Sequence, residues 1–348
     1  MTLNRILWNY LIAPTVITVA VSGCTTEIPN IQDLIAQSSK NSQLQRTLST
    51  QSDSGYSVAY SPEISGANSP VGIILASAGA RSVKLWNPNT GKLLRTLPVP
   101  AWAVSFSRDG QILASGSQDG SLNLWDVKTG KLIRTLKHSD PVIGVAFSPD
   151  GQTLVSNLDL GSTIRLWNWR TGEIIDINDD PDAYQKGFRN FKTQPATFSQ
   201  DGQALFTTGD SASMIQSWNV KTGKRIGSFN AKSFINAVAI SPDGNTLATG
   251  IRDNAIKLWN INDGKLIHTL TGHQAEVRTV TFSPDGTLLA SGSRDGTVKL
   301  WNLTTGKEIS TFTAHKLQVW SVAFNPDGKT FASAGQDGTI KIWRVSPQ

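Results

Sequence analysis

"VKLWNLTTGK" at residues 298–307 is one of seven related stretches in this chain. It is matched by "VKLWNPNTGK" (83–92), "LNLWDVKTGK" (122–131), "IRLWNWRTGE" (164–173), "IQSWNVKTGK" (215–224) and "IKLWNINDGK" (256–265). A shortened version, "IKIWRVSPQ", runs from 340 to 348. Each places a tryptophan in the same frame, at Trp86, Trp125, Trp167, Trp218, Trp259, Trp301 and Trp343, which takes up seven of the 11 tryptophans. The steps between them run from 39 to 51 residues and are mostly 41 or 42. A repeat of that length is one supersecondary unit that must stack on its neighbours to bury an apolar face.

Outward from the tryptophan, the unit reads as strands. "VRTVTFS" (277–283) mixes β-formers with small residues, "PDG" is a hairpin turn, and "TLLASGS" (287–293) is a buried strand. "RDG" is a second tight turn, "TVKLWN" (297–302) a third strand, and "LTTGK" turns into a fourth, "EISTFTA" (308–314). A four-stranded sheet of this kind cannot cover both its faces, and radial stacking into a ring leaves only short, protected edges. On these residues, over about 43–345, the chain resembles the WD-repeat family. The fold expected is all-β: a seven-bladed β-propeller of four-stranded antiparallel blades. The last repeat stops after its third strand at "IKIWRV", while "QLQRTLS" (43–49) matches the fourth strands "KLLRTLP" and "KLIRTLK". The resemblance implies that residues 44–48 complete the last blade and close the ring.

"SGSRDGTVKLWN" (291–302) holds Ser291 and Asp295, and His273 lies upstream, the letters of a nucleophilic triad. Such a site needs one exposed hydroxyl and an oxyanion pocket, and nothing in its chemistry calls for copies. Here Trp301, Ser291, His273 and Asp295 recur at the same offsets as Trp343, Ser333, His315 and Asp337, and Trp125, Ser115 and Asp119 repeat the pattern without a histidine. The family resemblance implies a buried network of tryptophan, serine, histidine and aspartate that braces each blade, so no catalytic residue is expected. His138 reads as a slightly shifted third version. The "TTGK" stretches lack the GxxxxGK[ST] spacing of a phosphate loop, and the four histidines lack metal-ligand spacing, so neither a cofactor nor a metal is expected.

The 348 residues carry 32 basic and 26 acidic side chains, a formal charge of +6 with no long run of one sign, which does not point to nucleic acid. The sole cysteine, Cys24, rules out an internal disulfide. It ends "MTLNRILWNYLIAPTVITVAVSGC", one basic residue followed by an apolar stretch and small residues, the layout of an export signal. Val21 to Cys24 resembles a bacterial lipobox. The expected organisation is therefore a signal over 1–23, an acylated Cys24 with a polar tether over 24–43, and the propeller over 44–345. Thr25 in place of an aspartate points to the outer membrane under enteric sorting rules, with the body on the periplasmic side. Tight attachment to a bilayer takes more than one acyl chain.

Propellers of this family mostly present surfaces, and the resemblance implies protein recognition at the face bearing the fourth-to-first and second-to-third strand loops. Positions five residues after the network histidine point there: Tyr56, Trp102, Ile143, Gln194, Asn236, Arg278 and Trp320. Tyr56, Trp102 and Trp320 form an expected aromatic sector, because the first, second and last repeats adjoin once the ring closes. Arg252, Arg278 and Arg294 form a second, basic sector. The insertion behind the 51-residue step, with Asp176, Asp179, Asp180 and Asp182, supplies the opposite sign. The function expected is a monomeric, non-enzymatic, lipid-anchored protein-interaction scaffold of the bacterial cell envelope. The alternative is a periplasmic propeller enzyme holding a cofactor or metal in its channel, which would need a convergent polar cluster that breaks the repeat.

Overall fold

Strands of three to seven residues follow one another along the chain because the repeat alternates apolar runs with Pro-Asp-Gly, Asp-Gly and Thr-Gly turns. The computed structural model describes residues 43–50, 54–62, 72–158, 164–177, 196–208 and 213–345. Cys24, the signal over 1–23, the tether up to 42, Gln194, Asp179, Asp180 and Asp182 all lie outside the described residues. Leu44–Gln348 forms one unit.

The 28 strands form seven four-stranded antiparallel sheets, six of them built from four consecutive strands. These blades 1 to 6 begin at Gly55, Ala103, Val142, Ala196, Ile235 and Val277. Blade 7 takes three strands from the end of the chain, Val319–Phe324, Thr330–Gly335 and Thr339–Arg344, and its fourth from the start, Leu44–Ser49. That closing strand pairs Leu44 with Trp343 and Leu48 with Ile340, one residue longer than the stretch read from the sequence. The first strand of every blade packs against the first strands of the blades on either side, which makes a closed ring.

The core is seven separate clusters, one at each blade interface. At the junction of blades 5 and 6, Ala248, Ile256 and Leu258 meet Phe282, Leu289 and Trp301. The same arrangement joins blade 7 to blade 1, where Ile340 and Ile342 meet Val58, Leu75 and Trp86. Each repeated tryptophan thus covers the blade that precedes its own. Burial follows radius: the second strand Leu288–Ser293 is buried throughout, whereas the outermost strand Arg225–Asn230 is almost wholly exposed. Arginines on three outermost strands reach the turn of the next blade. Arg46 donates to the Asn89 carbonyl at 2.6 Å, Arg95 to Lys128 at 2.8 Å, and Arg134 to Thr171 at 3.0 Å.

The "TTGK" stretch is the turn between strands Thr297–Asn302 and Lys307–Thr313. The Thr305 amide donates to Asn302 Oδ1 at 2.9 Å, so the Asn302 side chain, not a phosphate, meets this N–H.

Candidate functional site

All seven repeated tryptophans donate their indole N–H to a hydroxyl on the second strand of their own blade. The acceptors are Ser77, Ser115, Ser156, Thr207, Thr249, Ser291 and Ser333, at 2.8 to 3.0 Å. In blade 6, Ser291 Oγ also lies 2.8 Å from His273 Nε2, and His273 Nδ1 lies 3.0 Å from Asp295 Oδ2. The proton order follows from donor inventory. The Trp301 N–H can only donate, so the Ser291 oxygen accepts it, the Ser291 hydrogen goes to His273 Nε2, and Nδ1–H goes to Asp295. Blade 7 repeats the chain at 2.8 and 2.9 Å through His315, Ser333 and Asp337.

These distances would suit a catalytic triad. The burial would not: Ser291 and Ser333 have 0% of their surface exposed, and the indole N–H occupies each hydroxyl. Asp295 is further bound by the Gln274 amide at 2.8 Å and by the Thr297 amide and hydroxyl at 2.8 and 2.6 Å. Burial works against its ionisation, but the bonds from His273, Thr297 and these amides outweigh burial and hold the carboxyl well below the usual range. Burial also lowers His315 below an ordinary histidine against the opposing pull of Asp337.

His138 lies one residue further from its tryptophan than His273 does, yet its Nε2 lies 2.9 Å from Ser156 Oγ, at the same separation of 18 residues along the chain that joins His273 to Ser291. Its Nδ1 instead lies 3.3 Å from the Gly120 carbonyl. Burial pushes it down to about 4; the Gly120 bond opposes this, and the Arg165 charge adds to it. The folded state then keeps His138 neutral while the unfolded chain binds a proton near the ordinary value of 6.5. Stability from this group is full above 6.5 and is lost as the pH falls from 6.5 towards 4. We expect His138→Gln, weaker at pH 8, to show a flatter fall in unfolding free energy across that window, by about 2 kcal/mol, in urea titrations at stepped pH. Parallel curves for the two proteins would contradict it.

The His273–Asp295 contact also fixes which loops share a face: the loop entering a blade and the turn between its second and third strands meet at one end of the ring. On that end Tyr56 and Trp320 stand edge to face, centroids 6.4 Å apart. Trp102, on blade 2, is half-buried, and among the described residues no ring contact joins it to this pair. The two expected sectors are not separate, because the Arg278 guanidinium sits 5.5 Å from the Trp320 ring centre. Arg278 Nη2 pairs with Glu276 Oε2 at 3.0 Å, and Glu276 Oε1 faces Arg252 at 3.4 Å and Arg294 at 3.6 Å. One carboxylate therefore gathers three arginines from two blades, and Arg252 extends the group to the ring of Phe234 at 5.6 Å. Burial lowers Arg278; Glu276 opposes the shift, while Arg294 and Arg252 add to it.

Glu276 and Phe234 were missed in the sequence. Neither belongs to the repeat signature, although Glu276 lies two residues before Arg278 and could have been picked out by charge alone. Asn236 turns sideways instead, its amide donating to the Val277 carbonyl of the next blade at 3.2 Å. Ile143, Asn236 and Arg278 line an opening of about 270 Å³ among the first strands, with Val104, Val280 and Asn157. Asp176 lies within the outermost strand of blade 3, Glu173–Ile177, and pairs in register with Arg165.

Comparison with known proteins agrees with this architecture. Residues 91–126 and 130–168 match the WD domain, G-beta repeat, and residues 234–348 match the first β-propeller of IFT122. The chain carries WD40 repeats. Among curated relatives, apoptotic protease-activating factor 1 of Rattus norvegicus is 28% identical over 208 residues, 59% of this chain and 16% of that protein. Nuclear distribution protein nudF of Aspergillus niger is 29% identical over 240 residues, 60% of this chain and 52% of its own length. WD repeat-containing protein VIP3 of Arabidopsis thaliana is 29% identical over 156 residues, 41% and 46% respectively. This WD40 propeller spans about half or less of each of these relatives, and the likeness lies in repeats that many unlike proteins share.

Proposed function

We propose that this WD40 propeller is a non-enzymatic protein-interaction scaffold, held at a bacterial envelope membrane by lipid on Cys24. Its partner would meet the loop face that carries Tyr56, Trp320, Arg252, Arg278 and Arg294, with Trp102 on the adjoining blade. The observation that carries the reading is the continuous arc of aromatic rings and guanidinium groups on that face, joined through Trp320 and Arg278. Trp, Tyr and Arg are the residues most enriched at binding hot spots. WD40 propellers generally bind protein partners, and the serines that would have to act as nucleophiles are sealed. The anchor is supported by the placement of the one cysteine directly after an apolar stretch ending in small residues.

The test uses the full chain expressed in a bacterial host with crosslinking before solubilisation. Trp102→Ala with Trp320→Ala should remove most crosslinked partners seen with the wild type, and an unchanged set would overturn the loop face. In the same preparation, mass spectrometry should find an acylated Cys24 at the mature N-terminus, and Cys24→Ala should move the protein to the soluble fraction. Retention of Cys24→Ala in the membrane, or an intact leader, would overturn the anchor.

A further inference from the structure

The arginine arc is layered by sign. Arg252 and Arg294 have 60% of their side-chain surface exposed, while the carboxylate between them, Glu276, has 15%. The other acids of these loops are also drawn in: Asp295 and Asp337 are 10% and 11% exposed, and their oxygens are taken by histidine, threonine and backbone N–H groups. Asp253, beside Arg252, is the exposed exception. A surface whose cations face out and whose anions lie beneath selects opposite charge in whatever docks on it.

Glu276 does more than neutralise. It draws Arg252 and Arg294 towards its Oε1 while Oε2 pairs with Arg278, which lowers the side-chain entropy that binding would cost. Within this cluster it offsets one guanidinium charge of three, and Asp253 and Asp295 lie next in sequence to Arg252 and Arg294. Arg278 is 18% exposed, and its Nε finds no acceptor among the described residues, nor does Trp320 Nε1. The arc ends on apolar rings at both sides: Phe234, 40% exposed, under Arg252, and Trp320 with Tyr56 beside Arg278.

We propose that this arc binds an acidic segment of a partner protein, with aspartate or glutamate carboxylates on Arg252 and Arg294 and an adjoining aromatic or aliphatic side chain against Phe234 or Trp320. This rests on the loop-face reading above and adds to it the chemistry of the partner. A peptide fits better than a nucleic acid, because two exposed guanidiniums framed by apolar rings make a short anion-binding subsite. A phosphate backbone would call for a longer basic track.

The probe is a fluorescein-labelled peptide of aspartate and glutamate around a central phenylalanine. It is compared by anisotropy with a lysine and arginine version, a serine version keeping the phenylalanine, and a single-stranded oligonucleotide. The acidic peptide should bind best and weaken steeply when salt is raised from about 50 to about 500 mM. Arg252→Ala with Arg294→Ala should weaken it by about tenfold while leaving the melting temperature unchanged, since both side chains are largely exposed. Glu276→Gln should bind at least as tightly as wild type. Equal binding of the acidic peptide by the double variant, tighter binding of the oligonucleotide, or no binding of the acidic peptide would overturn the inference. If the serine peptide binds as well as the acidic one, charge selection fails while the scaffold reading stands, and that reading falls only with its own crosslinking test.

Discussion

Trp301→Ala should lower the unfolding free energy by about 4 kcal/mol, read as a shift in the urea midpoint with little change in slope. Trp301 is 1% exposed and is the largest fully buried side chain among the described residues. It packs across the blade 5 to blade 6 interface, and its removal leaves a cavity there that two rigid sheets cannot close. The loss also frees Ser291 from the indole N–H. Two milder changes separate packing from hydrogen bonding. Trp301→Phe keeps most of the ring and should cost about 2 kcal/mol, since a buried hydroxyl still has His273. Ser291→Ala leaves both the indole N–H and His273 Nε2 without a partner and should also cost about 2 kcal/mol or more. A loss of less than about 1 kcal/mol in Trp301→Ala would mean that the blades hold together without their tryptophans.

Gly296→Ala should destabilise by about 3 kcal/mol, through the backbone rather than the core. Gly296 sits at φ +81°, and a Cβ there would lie 2.5 Å from the carbonyl oxygen of His315. That carbonyl belongs to the loop entering blade 7, whose own amide donates back to Gly296 O at 2.9 Å. The substitution therefore strains the turn of blade 6 and pushes away the loop that carries the network histidine of blade 7. A Cβ at Gly120 would meet the His138 carbonyl oxygen in the same way, so Gly120→Ala should repeat the effect three blades away around the ring. Gly72→Ala is the control: its φ is +66°, yet nothing lies within 4 Å, and it should cost only the local strain of about 1 kcal/mol. Thermal melts of the three variants give the ranking directly, and equal losses at Gly296 and Gly72 would show that the inter-blade contact is unimportant.

Much of this molecule is legible before folding because a repeat prints its structure several times. The blade count and the strand order within a blade follow from periodicity, since each blade meets the same neighbours at the same spacing. The closing strand, expected at 44–48 and found at Leu44–Ser49, and the pairing of Trp301 with Ser291 are what the resemblance to the WD-repeat family implies. The burial that separates Ser291 from a nucleophile is likewise implied by its recurrence at Ser333. His138, one residue further from its tryptophan than His273 is, keeps the separation from its serine, and only the structure gives the partner of its Nδ1, the Gly120 carbonyl.

The loop face was decided by tertiary structure. Arg252 and Arg294 are 42 residues apart, on different blades, and their meeting on Glu276 depends on how far one sheet is rotated from the next around the ring. The joining of Trp320 to Arg278 and to Tyr56 depends on side-chain directions that no spacing specifies. A repeat determines what every blade has in common, because identical contacts need identical residues. What a partner would feel lies in the positions that differ from blade to blade, and their neighbours are chosen only when the ring closes.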